Sequence, residues 1–166
     1  MGDTLERIFE YRVLYAKQRE LQIPLSRDEQ KRYVRLRSEL PDHVPTLDEP
    51  ATLLSAELPA QFVAGGRFGS GILRNGTAIG LAIGTHDEPP ALGQRLIVHV
   101  QQPERGIEYT FPCRVIARVV RGSPAMGVVF DGVPSESRTL GRTSGVYRPD
   151  VEFPPEELET TKVSRM

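Results

Sequence analysis

The chain has 166 residues, 39% hydrophobic and 26% charged, with a net charge of −1. This suits one soluble domain of about 100 residues plus appendages, and it gives no electrostatic reason to expect nucleic acid or an anionic membrane as the main partner. A single cysteine, Cys113, excludes an internal disulfide, and no apolar run approaches the ~18 residues of a membrane span. A cytoplasmic protein without membrane insertion is therefore expected.

Three regions separate by composition: a helical hairpin over 1–49, a strand-rich domain over 50–134, and a mostly flexible tail over 135–166. The first region has no glycine after Gly2 and is charged throughout. Asp3 can cap a helix from about Thr4 to Gln22, ended by Pro24. Leu5, Ile8, Phe9, Val13 and Ala16 follow helical spacing, and Tyr11, Leu14, Tyr15 and Leu21 widen the apolar surface. Ser26-Arg27-Asp28-Glu29 is a capping-box pattern that starts a second helix, running to about Leu40 before Pro41. A connection of about four residues predicts an antiparallel helical pair.

The second region predicts strands at Thr52–Glu57, Ala60–Val63, Gly69–Arg74, Ile79–Ile83, Arg95–Gln101, Glu108–Val120 and Met126–Asp131. Leu96, Val98 and Val100 alternate with Arg95, Ile97 and His99, and Cys113, Val115, Ala117 and Val119 with Arg114, Ile116 and Arg118, which places each set on one face. Turn signals separate the strands, so an antiparallel sandwich or barrel is expected. Asn75-Gly76, between Gly71-Ile72-Leu73 and Leu81-Ala82-Ile83, is a hairpin signal because both residues tolerate positive φ. In the tail, Pro155 can open a short acidic helix, and the last residues are expected to be mobile.

Catalytic and metal chemistry find little support, and no cofactor is implied. His43, His86 and His99 are scattered without metal-ligand spacing. Cys113 alternates with apolar residues and has no neighbouring base, so it reads as a core residue. Gly65-Gly66-Arg67-Phe68-Gly69-Ser70-Gly71 lacks the Lys-Ser/Thr and the helix of a phosphate cradle and reads as a flexible hairpin loop. Arg27, Lys31 and Arg35 share a helix face with Asp28 and Glu29 nearby, which favours a solvated surface.

Asn75-x-Thr77-x-x-Gly80 resembles the (Asp/Asn)-x-Ser-x-x-Gly signature of PilZ domains, bacterial receptors for cyclic di-GMP, with Thr in place of Ser. Leu81-Ala82-Ile83, Leu92-Gly93-Gln94-Arg95-Leu96-Ile97-Val98, Cys113–Val119 and Ala125-Met126-Gly127-Val128-Val129-Phe130-Asp131 follow in the family's order. The resemblance covers about 50–134 and implies a mainly β fold: a six-stranded antiparallel split barrel, preceded here by the helical hairpin. Ligand-competent members also carry Arg-x-x-x-Arg some 20 to 30 residues before the Asp/Asn, for bidentate contacts to phosphate and guanine. The matching stretch here, Pro50–Leu58, contains no arginine. Each lost charged contact is worth about 1.5–3 kcal/mol, so useful affinity for the nucleotide is not expected.

The resemblance thus points to the degenerate branch of the family: non-enzymatic adaptors in motility or cell polarity that act through protein contacts. Phe9, Tyr11 and Tyr15 on the first helix are the candidate partner-binding residues, for a second copy of the chain or a different protein. The competing reading is a cyclic di-GMP receptor in which substitute arginines, Arg35 and Arg67 above all, replace the missing pair. A third reading keeps Asn75 and Thr77 as turn-shaping residues only.

Overall fold

The structure is a computed structural model and describes residues 2–47 and 58–138. It holds two helices, α1 (Gly2–Arg19) and α2 (Arg27–Glu39), and seven strands. These are β1 (Leu58–Ala64), β2 (Arg67–Gly76), β3 (Gly80–Thr85), β4 (Arg95–Gln102), β5 (Ile107–Val119), β6 (Ala125–Phe130) and β7 (Ser135–Arg138). All pairings are antiparallel: β1 joins β2 and β4, β2 joins β3, β3 joins β6, and β5 joins β6 and β4. The six strands therefore close into a barrel, which removes sheet edges. β7 extends the ladder along the first half of β5. The predicted strand at Thr52–Glu57 and the tail from 139 onward lie outside the described residues.

Each strand turns alternate residues inward. Phe62, Leu73, Ile83, Val98, Phe111 and Val128 meet in one buried core. The expectation for Leu96, Val98 and Val100 holds. That for β5 holds only as far as Val115, because Val119 is exposed and Ala117 lies beside Gly127 on the outer side of the buried pair Met126 and Val128. A bulge between Val115 and Ala117 causes this, since one extra residue reverses the faces of every residue that follows. Pro112 sits where β5 has left β7 and not yet met β6, so its missing N–H disturbs neither ladder.

The β1–β2 turn is Gly65-Gly66, both at positive φ, as a two-residue hairpin requires. Arg67–Gly71 already belongs to β2, so the expected flexible loop is confined to these two glycines. Asn75-Gly76 is not a positive-φ turn either: both residues lie in β2, paired with Ala82 and Leu81, and the chain reverses over 77–79.

The helical hairpin forms as expected, with shifted ends. α1 begins at Gly2, which places Asp3 inside its first turn. It stops at Arg19, well before Pro24, where Gln22 adopts a φ of 55° and the Ile23 N–H bonds the Lys17 carbonyl at 2.8 Å. The capping box is present: Ser26 Oγ accepts from the Glu29 N–H at 3.2 Å, and Glu29 Oε1 accepts from the Ser26 N–H at 2.9 Å. Ion pairs Lys17–Glu29, Arg32–Glu10 and Arg7–Glu39 set the antiparallel register, each worth about 0–1 kcal/mol at such exposure.

α1 lies between α2 and the barrel, which accounts for its broad apolar surface. Phe9 packs on Tyr109 and Phe111 with ring centroids 4.9 and 6.3 Å away, while Tyr11 stacks on Tyr33 of α2 at 5.2 Å. Leu5, Ile8, Leu36 and Leu40 are buried in the barrel's own core cluster.

Candidate functional site

The Asn75–Gly80 turn caps the barrel under the hairpin. Thr77 is fully buried and Asn75 nearly so. Thr77 Oγ1 accepts from the Ile79 N–H at 3.1 Å and the Gly80 N–H at 3.3 Å, and the Thr77 N–H bonds the Gly80 carbonyl. Asn75 Oδ1 accepts from the Gly76 N–H at 2.9 Å. The turn is tied to both neighbours: the Ala78 N–H bonds the Pro41 carbonyl after α2, and the Phe130 N–H of β6 bonds the Ile79 carbonyl. Glycine is required at position 80, where a Cβ would stand 2.0 Å from the Val128 carbonyl oxygen. At Gly76 a Cβ would stand 2.8 Å from Ile8 Cδ1, so α1 rests directly on this turn.

The remaining candidates do not gather there. Arg67 begins β2 and Gly76 ends it, a separation of about 30 Å at ~3.3 Å per residue. Arg35 is exposed on α2. Phe9 and Tyr15 are half-buried and Tyr11 is buried, all three packed on the chain's own core. The apolar residues that the hairpin does expose are Leu21, Ile23 and Val34.

The structure instead brings three other arginines to the flank of the turn. A cleft between hairpin and barrel is lined by Arg12 and Arg19 of α1, Arg37 of α2, Ala78 and Ile79 of the turn, and Phe130. Arg12 is 7% exposed and lies between two rings, its guanidinium carbon 4.2 Å from the Tyr15 centroid and 5.2 Å from that of Phe130. One signal was available in the sequence: Arg12 falls on the Leu5, Ile8, Ala16 stripe, where a charge breaks an otherwise apolar face. Tyr11, also at the cleft, has its hydroxyl pKa pushed up to about 12, by burial first and then by the Tyr33 hydroxyl.

Other reactive groups are held in structural contacts. Cys113 is buried, and desolvation pushes its thiol well above the ordinary range. His86 Nδ1 pairs with Ser70 Oγ at 2.9 Å, and His99 Nδ1 with Thr110 Oγ1 at 3.0 Å. Among the described residues no cluster of His, Cys, Asp or Glu has metal-site geometry, and no helix is long and apolar enough to cross a membrane. Compared with known proteins, the chain matches no family model and no curated protein.

Proposed function

We propose that this protein is a non-enzymatic, PilZ-like regulatory adaptor, acting through protein contacts in bacterial motility or cell polarity, without appreciable cyclic di-GMP binding. The observation that carries this reading is the use made of the Asn75–Gly80 turn. The side-chain oxygens of Asn75 and Thr77 accept from the turn's own backbone, and α1 rests on Gly76. A nucleotide reaching the buried Asn75 and Thr77 side chains would first have to displace the hairpin, at the cost of Ile8, Leu5 and Leu36 leaving the core.

An adaptor also needs an outer surface. Phe68, Val63, Ile97 and Pro112 are direct cross-strand partners on β2, β1, β4 and β5. They form an apolar row on the outside of the barrel, with Phe68 86% exposed. Such a row, crossing four strands, suits a protein partner better than solvent.

Isothermal titration with cyclic di-GMP tests the reading. The expected result is no saturable heat, and a dissociation constant at or below the low micromolar range overturns it in favour of a receptor that uses substitute arginines. In cells, Phe68→Asp should reproduce the motility or polarity phenotype of a deletion while the purified variant keeps its barrel. Wild-type behaviour of that strain counts against the adaptor surface.

A further inference from the structure

The cleft between hairpin and barrel has a volume of about 490 Å³, within the range of small-molecule sites. Arg12 lines it in an unusual state. Among the described residues no carboxylate, carbonyl or hydroxyl accepts a hydrogen bond from Arg12, and its Nε is sealed from solvent without a partner. A guanidinium cannot shed its proton, so burying one without an acceptor is costly. Tyr15 and Phe130 offset part of that cost through their π faces. Ring stacking satisfies the face of the guanidinium and leaves the N–H fork in its plane, which is shaped for two oxygens of one anion.

We propose that this cleft binds a small organic oxyanion carried on a planar ring, the oxyanion on Arg12 and the ring among the aromatic side chains. The charge balance of the cleft agrees. Arg12, Arg19 and Arg37 face Glu20, Asp42 and Asp131, but Asp131 is already held by Arg95 at 3.0 Å and Arg114 at 3.3 Å. Three guanidinium groups then stand against two carboxylates, which favours one added negative charge. Tyr11 and Tyr33, stacked on each other with their rings 6° from parallel, both line the cleft and supply aromatic surface for a ring. A carboxylate and a phosphate monoester share the required chemistry. This site stands independently of the adaptor reading: Ala78 and Ile79 of the turn line it, but it needs neither the Asn75 and Thr77 side chains nor the outer apolar row.

The test is NMR of the full chain labelled at arginine, following the Arg12 Nε–H and the tyrosine rings. 4-Hydroxybenzoate and adenosine 5′-monophosphate are titrated in separate arms, to about 10 mM given the millimolar affinity of a small first probe. Inorganic phosphate and benzamidine serve as controls. At least one arm should shift the Arg12 Nε–H and the cleft tyrosines saturably, and the stronger arm tells a carboxylate source from a phosphate source. Arg12→Gln should weaken that binding by about tenfold or more. Arg37→Gln, on an exposed helix position, should weaken it several-fold without threatening the fold, so the result does not hang on Arg12→Gln remaining folded. The proposal is overturned if neither probe shifts Arg12 saturably, if benzamidine acts equally well, or if inorganic phosphate alone matches adenosine monophosphate and the ring contributes nothing.

Discussion

Single atoms decide much of the Asn75–Gly80 turn. Gly80→Ala would drive a Cβ into the Val128 carbonyl, which is backbone and cannot step aside. We expect a loss of about 3 kcal/mol in urea denaturation. Gly66→Ala meets nothing within 4 Å and suffers only from its φ of +80°, so about 1 kcal/mol is expected there. Thr77→Val keeps the shape and removes an oxygen that accepts two backbone N–H groups, which should cost about 1–3 kcal/mol. Tyr11 governs an alkaline limit. Its folded pKa is raised from 10.0 to about 12, so the protonated form is the one the fold favours. Its contribution is complete below pH 10 and is lost as pH rises from 10 toward 12, because the unfolded chain releases the proton first. Chemical denaturation at stepped pH should show stability falling across that window, less steeply in Tyr11→Phe. Some slope remains in that variant because burial moves Tyr109 in the same direction.

At the scale of elements, the hairpin shows which signals are local. Ser26 and Glu29 close their capping box within four residues, and Ser26→Ala should lower stability by about 1 kcal/mol by thermal or urea unfolding. The end of α1 is set differently. The helix is released by Gln22 in the left-handed region, where glycine sits more easily, so Gln22→Gly should raise stability by about 0.5–1 kcal/mol in the same assay. Pro24 marked the end of α1 in sequence terms, yet the helix ends at Arg19, five residues earlier, in a turn where the Glu20 and Leu21 N–H groups bond the Ala16 carbonyl and the Ile23 N–H bonds the Lys17 carbonyl. β5 carries a comparable lesson. Its alternating residues identified a strand of the right length, but nothing in Arg114–Arg118 announces the bulge that turns Ala117 outward, because a bulge is settled by the partner strand.

For the whole molecule, the main consequence is that hairpin and barrel share one core. Leu5, Ile8, Leu36 and Leu40 belong to the same buried cluster as Val98, Phe111 and Met126. Ile8→Ala should therefore cost about 2–4 kcal/mol and shift the helical and barrel signals together in a single transition. Loss of far-ultraviolet helical signal well before the tyrosine environment of the barrel changes would show the hairpin to be a separable unit. The same docking disposes of the wide apolar surface of α1: Phe9 and Tyr11, exposed on an isolated helix, find ring partners at 4.9 and 5.2 Å inside the chain.

The sequence alone determined what depends on near neighbours. Period-two alternation located β4 and β5, apolar runs between turn signals located the other barrel strands, Gly65-Gly66 located the first turn, and a hydroxyl three residues before a glutamate opened α2, since strand faces, positive φ and capping bonds are settled within a few residues. Tertiary structure alone decided what depends on distant ones. It took Asn75-Gly76 out of a turn and into β2, because the ladder with Leu81 and Ala82 outweighs the local preference of the pair. It buried Thr77 beneath α1 and left Arg67 at the far end of the barrel from the residues with which the sequence grouped it. It also gathered Arg12, Arg19 and Arg37 around one cleft, from two helices folded back on a barrel, because charges far apart in the chain meet only once the apolar faces that carry them have packed.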